Sequence, residues 1–437
     1  MLIHDITLLV SATKAGLDSL GNGKFALHVP PGMETLAPRK AFAMLYKTFC
    51  VFRHTMRKRE RLTALDGVEP DAAAGFGADQ AGHYAFRDAL GLDELFEQTD
   101  EMRLLTLLQA RGRSAADVHA RIHRHLHLAL FDEDGAPYLE RVPGPRRELR
   151  YDSSDIVGLY CFVAEDFYRH LLDVDITAAW GRFADEGLAL AADFRHRYLH
   201  DGASLHNGER EACDRTLDRL RHTLQIIDRR TPFRPPTYRV LYEALDRYLH
   251  GGLDQQANGL VWGVQDFWAV WESVCLVHAM SNRSASCLTC DFEHLPHAVA
   301  TAADRIRWQN ERTALFARNE YERRPDLVLV GDDQATIVDF KCYTAAPASR
   351  PKETNGNIDK QERDFLNIEA YGLMLQNHFL KTSSPLADRM TMEFWLPGIA
   401  HRRTACANEP PWNPPLSFVT LPTAELVQAY VKLYRGG

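Results

Sequence analysis

Asp326, Asp339 and Lys341 are the residues whose types and spacing point most directly to chemistry. Asp326 precedes the apolar run Leu327-Val328-Leu329-Val330, and Asp339 and Lys341 close the run Ala335-Thr336-Ile337-Val338-Asp339-Phe340-Lys341, with Gly331-Asp332-Asp333-Gln334 between them. Two β-rich runs around a Gly-Asp-Asp turn predict an antiparallel hairpin centred between Asp332 and Asp333. That register sets Asp326 directly opposite Asp339. Period-two alternation then sends Lys341 to the same sheet face and Phe340 to the other, into the core. Opposed carboxylates repel and weaken a purely structural sheet unless a cation sits between them. A divalent metal resolves the conflict. Magnesium suits it, because it takes hard oxygen ligands and keeps several waters, so one or two carboxylates and a substrate phosphate suffice. The context carries the argument. Pro70-Asp71 repeats the dipeptide of Pro325-Asp326 but is followed by Ala72-Ala73-Ala74-Gly75, with no apolar strand and no second acid.

The arrangement resembles the PD-(D/E)xK nuclease superfamily, and the order of its elements resembles that of McrC-like and LlaJI-like restriction nuclease subunits. Upstream, Asp266-Phe267-Trp268-Ala269-Val270-Trp271-Glu272-Ser273-Val274-Cys275-Leu276 resembles their "WE" or "FE" helix, with Glu272 at the glutamate. Downstream, Asn367-Ile368-Glu369-Ala370-Tyr371 resembles their Gln-x-x-x-Tyr helix, with asparagine in place of glutamine. Gln361 is the other candidate for that glutamine, if the helix begins earlier. The resemblance covers about two hundred C-terminal residues, a normal domain size, and does not extend to the first half of the chain.

The resemblance implies a restriction-endonuclease-like mixed sheet flanked by helices and a magnesium-dependent endonuclease acting on DNA, with manganese as a substitute ion. Asp326 and Asp339 would hold the metal, the Phe340 backbone carbonyl would complete the inner shell, and Glu272 would bind directly or through water. Lys341 would orient or deprotonate the attacking water and stabilise charge on the phosphate, giving a 5'-phosphate end. Asn367 and Tyr371, one helical turn apart, would support the site or touch the strand being cut. The implied setting is restriction or anti-phage defence, beside a separate AAA+ nucleotide-hydrolysing motor. A homo-oligomer is a further expected assembly. Two other readings stand beside this one: a non-catalytic assembly or nucleic-acid-binding subunit, and a nuclease of the same superfamily acting on RNA or transposon ends.

The elements that must position these residues divide at Arg229-Arg230-Thr231-Pro232-Phe233-Arg234-Pro235-Pro236, a proline density that neither a helix interior nor a central strand tolerates. Residues 1–235 form the expected recognition or partner-binding region and residues 236–437 the nuclease domain. The fold class expected overall is mixed α/β. Strands are predicted at Ile6 to Val10 and Phe25 to Val29. Mainly helical signal follows, around Val51 to Leu65, Met102 to Leu130, Ile156 to Leu172, Ile176 to Leu199 and Arg210 to Arg229. The second half reads as helices at Tyr238 to Leu249 and Val264 to Met280, a long connection, and the hairpin. A helix at Phe365 to Phe379, a strand at Thr391 to Leu396 and a final strand and helix from Leu416 to Leu433 complete it. A chain of 437 residues with 45% hydrophobic content is expected to hold two or more soluble domains. No apolar run is long enough for a membrane span, the start of the chain lacks the pattern of a signal peptide, and eight scattered cysteines suit a reducing compartment, so a cytoplasmic protein is expected.

Other motifs compete less well. Net charge −8 and pI near 6.2 do not advertise nucleic-acid binding, so phosphate contacts must come from local basic groups. Arg57, Lys58 and Arg59, within the densest basic stretch, and Arg324 are the candidates; a solvated face is the plain alternative, and Arg402 and Arg403 pose the same question. Cys287 and Cys290 with His294 and His297 have zinc-type residues, but the Cys-to-His spacing is much shorter than in common fingers, which argues against zinc and for a loop with ordinary thiols. His119, His123, His125 and His127 do not share one helical face. Gly21-Asn22-Gly23-Lys24-Phe25 departs from the Walker pattern, so no nucleotide-driven motor is expected within the chain.

Overall fold

The computed structural model describes residues 6–56, 153–250, 259–343, 357–406 and 411–435 with brief internal gaps, together with Leu104 and two-residue strands at 87–88, 130–131 and 137–138. The chain is mixed α/β. It opens with β1 (Thr7–Val10), β2 (Ala15–Gly21), β3 (Lys24–Val29) and α1 (Pro38–Met56). A helical stretch follows: α2 (Ser153–Asp166), α3 (Ala184–Tyr198), α4 (Arg210–Arg230) and α5 (Pro236–His250). The chain continues through β4 (Gly259–Val264), α6 (Trp268–Ser281), β5 (Ser286–Cys290), α7 (Ala302–Phe316), β6 (Leu327–Val330) and β7 (Ala335–Phe340). It ends in α8 (Asn357–Lys381), β8 (Met390–Gly398), β9 (Arg402–Ala405), β10 (Leu416–Pro422) and α9 (Thr423–Arg435).

Two compact units result, and they divide the chain differently from a single cut at residue 235. Residues 88–257 form one; residues 6–87 group with residues 258–437 in the other. The reason is strand pairing: β4 completes a sheet begun by the N-terminal strands, in the order β1-β3-β2-β4 with Arg87–Asp88 at its edge. β2, which the turn-rich Ala15-Gly16-Leu17-Asp18 did not announce, pairs antiparallel on both sides. Gly16 lies opposite Gly263. Both adopt positive φ, 140° and 123°, and a Cβ on Gly16 would stand 2.1 Å from the Trp262 carbonyl oxygen, so the crossing admits only glycine.

In the helical unit α2 is buried along nearly its whole length, with α3, α4 and α5 packed against it. Phe162, Phe194, Leu224 and Leu245 fill that core. Buried Asp155 accepts 2.7 Å hydrogen bonds from Arg197 and Tyr198, which satisfies an acid in the first turn of α2.

The other unit holds a six-stranded mixed sheet in the order β9-β10-β8-β7-β6-β5. β7, β8 and β10 run parallel, while β5, β6 and β9 pair antiparallel to their neighbours. α8 makes the crossover from β7 to β8 and seals one sheet face through Ile368, Leu375, Phe394 and Phe418. α6, almost wholly buried, packs with α9 and β7. The expected long connection between α6 and the hairpin contains β5 and α7, and β9 is a further strand. α7 carries a complete capping box, Thr301 with Asp304.

Candidate active site

The hairpin register is the one the turn residues dictate. Leu327 pairs with Val338 and Val330 with Ala335, and Gly331 N donates to the Gln334 carbonyl at 2.9 Å, so the loop turns on Asp332 and Asp333. Extending the register by one pair sets Asp326 against Asp339. Asp326 lies just before the strand; its Oδ2 accepts from the backbone amide of Phe340 at 2.5 Å. Phe340 itself points away and is buried, its ring 5.7 Å from that of Trp395.

Lys341 follows the strand and returns to the face of Asp339. Its Nζ lies 2.8 Å from Asp339 Oδ2 and 3.3 Å from Asp364 Oδ1. Asp339 is 5% exposed and Asp364 8%, whereas Lys341 is partly buried. Asp364 is a site residue that the motif did not name. It sits on α8, where spacings of four and three residues put it on one face with Ile368 and Tyr371. Tyr343 donates a hydrogen bond to Asp364 Oδ2. The signal available for Asp364 was its helical phase with Tyr371.

Glu272 is brought to this cluster by α6. Trp271 Nε1 donates to the Trp395 carbonyl at 3.2 Å, and the same oxygen accepts from Lys341 N at 3.0 Å, so one carbonyl of β8 ties the helix to the end of β7. Glu272 is 9% exposed and acts on Asp326 as a like charge. Burial, then the charges of Asp339 and Glu272, push the Asp326 carboxyl well above the usual carboxylate range; Lys341 and the Phe340 amide oppose this. Asp339 is raised as well, by burial against the counteracting pull of Lys341. For Lys341, burial favours the neutral amine, but Asp339, Asp326 and Asp364 outweigh it and hold the ammonium well above its ordinary value. The acids around it favour the ammonium form, which brings positive charge to the site.

Asn367 and Tyr371 reach the segment entering Asp326. Arg323 Nη1 donates to Asn367 Oδ1 at 3.4 Å, and the Tyr371 hydroxyl to the Arg324 carbonyl at 3.4 Å. The Tyr371 ring packs edge-on against Phe316 at 6.0 Å. Both residues therefore position the Arg323-Arg324 entry to the hairpin. α8 begins at Asn357, so Gln361 is helical and one turn before Asp364. Arg324 is exposed beside Asp326. Arg57, Lys58, Arg59, His294, His297 and the His119 to His127 cluster lie outside the described residues. Arg402 and Arg403 are exposed on β9, where Arg403 pairs with buried Glu393. Cys287 and Cys290 lie on β5, a strand and not the expected loop; all eight cysteines are free thiols.

Among the described residues, no three His, Cys, Asp or Glu side chains are gathered as a ready metal cage. The donor chemistry fits a hard divalent cation all the same. Asp326 is raised by burial and by the like charges of Asp339 and Glu272, and all three offer the hard carboxylate oxygens that such an ion takes. Among the described residues, no helix is long and apolar enough to cross a membrane. The chain matches no protein-family model, and no curated protein matches it.

Proposed function

We propose that this chain is a magnesium-dependent endonuclease hydrolysing DNA phosphodiester bonds, with its centre at Asp326, Asp339 and Lys341. The observation that carries the reading is the convergence of these three groups at the open end of one hairpin, with Glu272 acting on Asp326 from a neighbouring helix. A mixed sheet with its hairpin, α8 crossover and parallel β8 supports a restriction-endonuclease-like fold for this unit. A bound magnesium or manganese ion would supply Lewis acidity at the phosphate and acidify a water ligand. Asp326 and Asp339 would hold it, with Glu272 and the Phe340 carbonyl as further donors.

The chain's own groups do the rest. Lys341 places a fixed positive charge where the phosphate accumulates negative charge, in a partly buried setting that strengthens the interaction. Asp364, itself held by Tyr343, steadies the ammonium. Tyr371 and Asn367 hold the Arg323-Arg324 segment, so that exposed Arg324 meets a phosphate beside the scissile bond. Arg57, Lys58 and Arg59 add further phosphate contacts, and the helical unit recognises DNA or a partner, including a separate AAA+ motor in restriction or anti-phage defence.

The test is cleavage of supercoiled and linear DNA, and of RNA, by wild type and Asp339→Ala with magnesium, manganese or EDTA. Metal-dependent cutting of DNA that disappears in the variant supports the reading; absence of cutting in every arm refutes it. A second reading, a non-catalytic binding subunit, draws on the two carboxylates that already neutralise Lys341. DNA binding by wild type without cleavage in any arm would favour it.

A further inference from the structure

α8 has two faces of opposite character. Asp364, Ile368, Tyr371, Leu375 and Phe379 are buried toward the sheet. Diametrically opposite, Leu366, Leu373 and Leu380 are 63%, 52% and 60% exposed. Single exposed leucines need no explanation, but these three recur every seven residues. Ala370 and Asn377 fall between them at the intervening seam positions, so the solvent face of α8 carries a two-heptad apolar seam broken by one amide.

We propose that this seam pairs antiparallel with the same seam of a second copy of the chain, about a twofold axis at Leu373. Self-complementarity and charge select that occupant. With Leu373 on the axis, Leu366 of each chain meets Leu380 of the other, and Glu369 comes opposite Asn377, carboxylate against amide donor. Glu362, near the start of α8, comes opposite Ser384, beyond the end of the partner helix, so like charges stay apart and the two helix dipoles oppose. A parallel pairing would instead set Glu362 against Glu362 and Lys381 against Lys381. A free two-heptad helix would be marginal, but α8 is already fixed on the sheet by its other face, so pairing carries no cost of helix formation. The proposal does not depend on the nuclease reading.

Sedimentation equilibrium of the full chain at micromolar concentration tests it. Wild type is expected at twice 49.6 kDa, and Leu373→Glu and Leu366→Glu at 49.6 kDa, each with unchanged far-ultraviolet circular dichroism because the side chains are exposed. Leu373→Cys should give a covalent dimer under mild oxidation above the wild-type background, and Leu366→Cys should not. A monomeric wild type, a dimer that survives both glutamates, or equal cross-linking by Leu366→Cys would overturn the proposal.

Discussion

The ammonium of Lys341 stands 2.8 Å from Asp339 Oδ2, two residues back along the same strand end, and the pair lies against a second acid, Asp364. Such closeness follows from period-two alternation, and its consequence is electrostatic: the lysine is fixed as a cation, and the acids around it share one positive charge. The predictions below all turn on that shortage of positive charge.

Lys341→Met removes the positive charge and leaves Asp339 and Asp364 buried beside Asp326. The expected cost near neutral pH is about 3 kcal/mol, the size seen when one partner of a buried pair is removed. Asp339 already binds its proton more tightly in the folded state, because burial raises it. Without the lysine it does so more strongly, so the deficit should shrink as pH falls toward about 5. Urea denaturation at the two pH values measures this, and an equal deficit at both would refute an electrostatic origin.

Asp326→Asn should abolish metal-dependent cleavage and yet raise the melting temperature at neutral pH by a few degrees. A carboxyl whose folded pKa is raised favours folding while protonated, below its unfolded value of about 4, and penalises it increasingly as pH climbs through the folded value. Asparagine escapes that penalty and can still accept from the Phe340 amide. The gain should vanish near pH 4; a variant less stable than wild type at neutral pH would show that the Asp326 charge is compensated in the fold.

How far these relations were legible depends on range. The opposition of Asp326 and Asp339 could be read because a two-residue turn propagates its register locally along both strands. Glu272 was named from the resemblance of its helix, but its approach to Asp326 depends on the Trp395 carbonyl, more than a hundred residues away and invisible to spacing. Asp364 was missed because the helix was expected from Phe365, which leaves Asp364 just outside it, whereas α8 starts at Asn357. β2 and β5 were missed for another reason. Gly16 and Gly21 read as turns, and Cys-Leu-Thr-Cys as a loop with ordinary thiols, yet each segment becomes a strand through neighbours distant in sequence: β4 at residues 259–264 for β2, and the hairpin at residues 327–330 for β5. Local propensity yields to long-range pairing.

Magnesium or manganese should raise the melting temperature of wild type near neutral pH and leave Asp326→Asn and Asp339→Asn unmoved. Binding to the folded state alone contributes about 2.7 kcal/mol at a hundredfold excess over the dissociation constant. Wild type should lose the response on acidification, since Asp326 and Asp339, both raised, must release their protons to bind a cation. Scanning fluorimetry with EDTA as the reference decides it. A wild-type melting temperature indifferent to both ions would remove the metal from the proposed mechanism.

Asp364→Asn separates positioning from metal binding. Asp364 touches Lys341 and Tyr343, so its loss should leave the metal-induced rise in melting temperature intact. Cleavage should fall about tenfold, the order of effect expected when a catalytic charge loses its orienting partner. The substitution also removes one of the acids that hold the Lys341 ammonium above its ordinary value, so the alkaline limb of the pH–rate profile should move to lower pH. Asp364→Glu should restore part of the rate and return the limb upward. If Asp364→Asn instead slows cleavage with an unshifted pH profile, the residue supports the fold of α8 and has no part in setting the charge on Lys341.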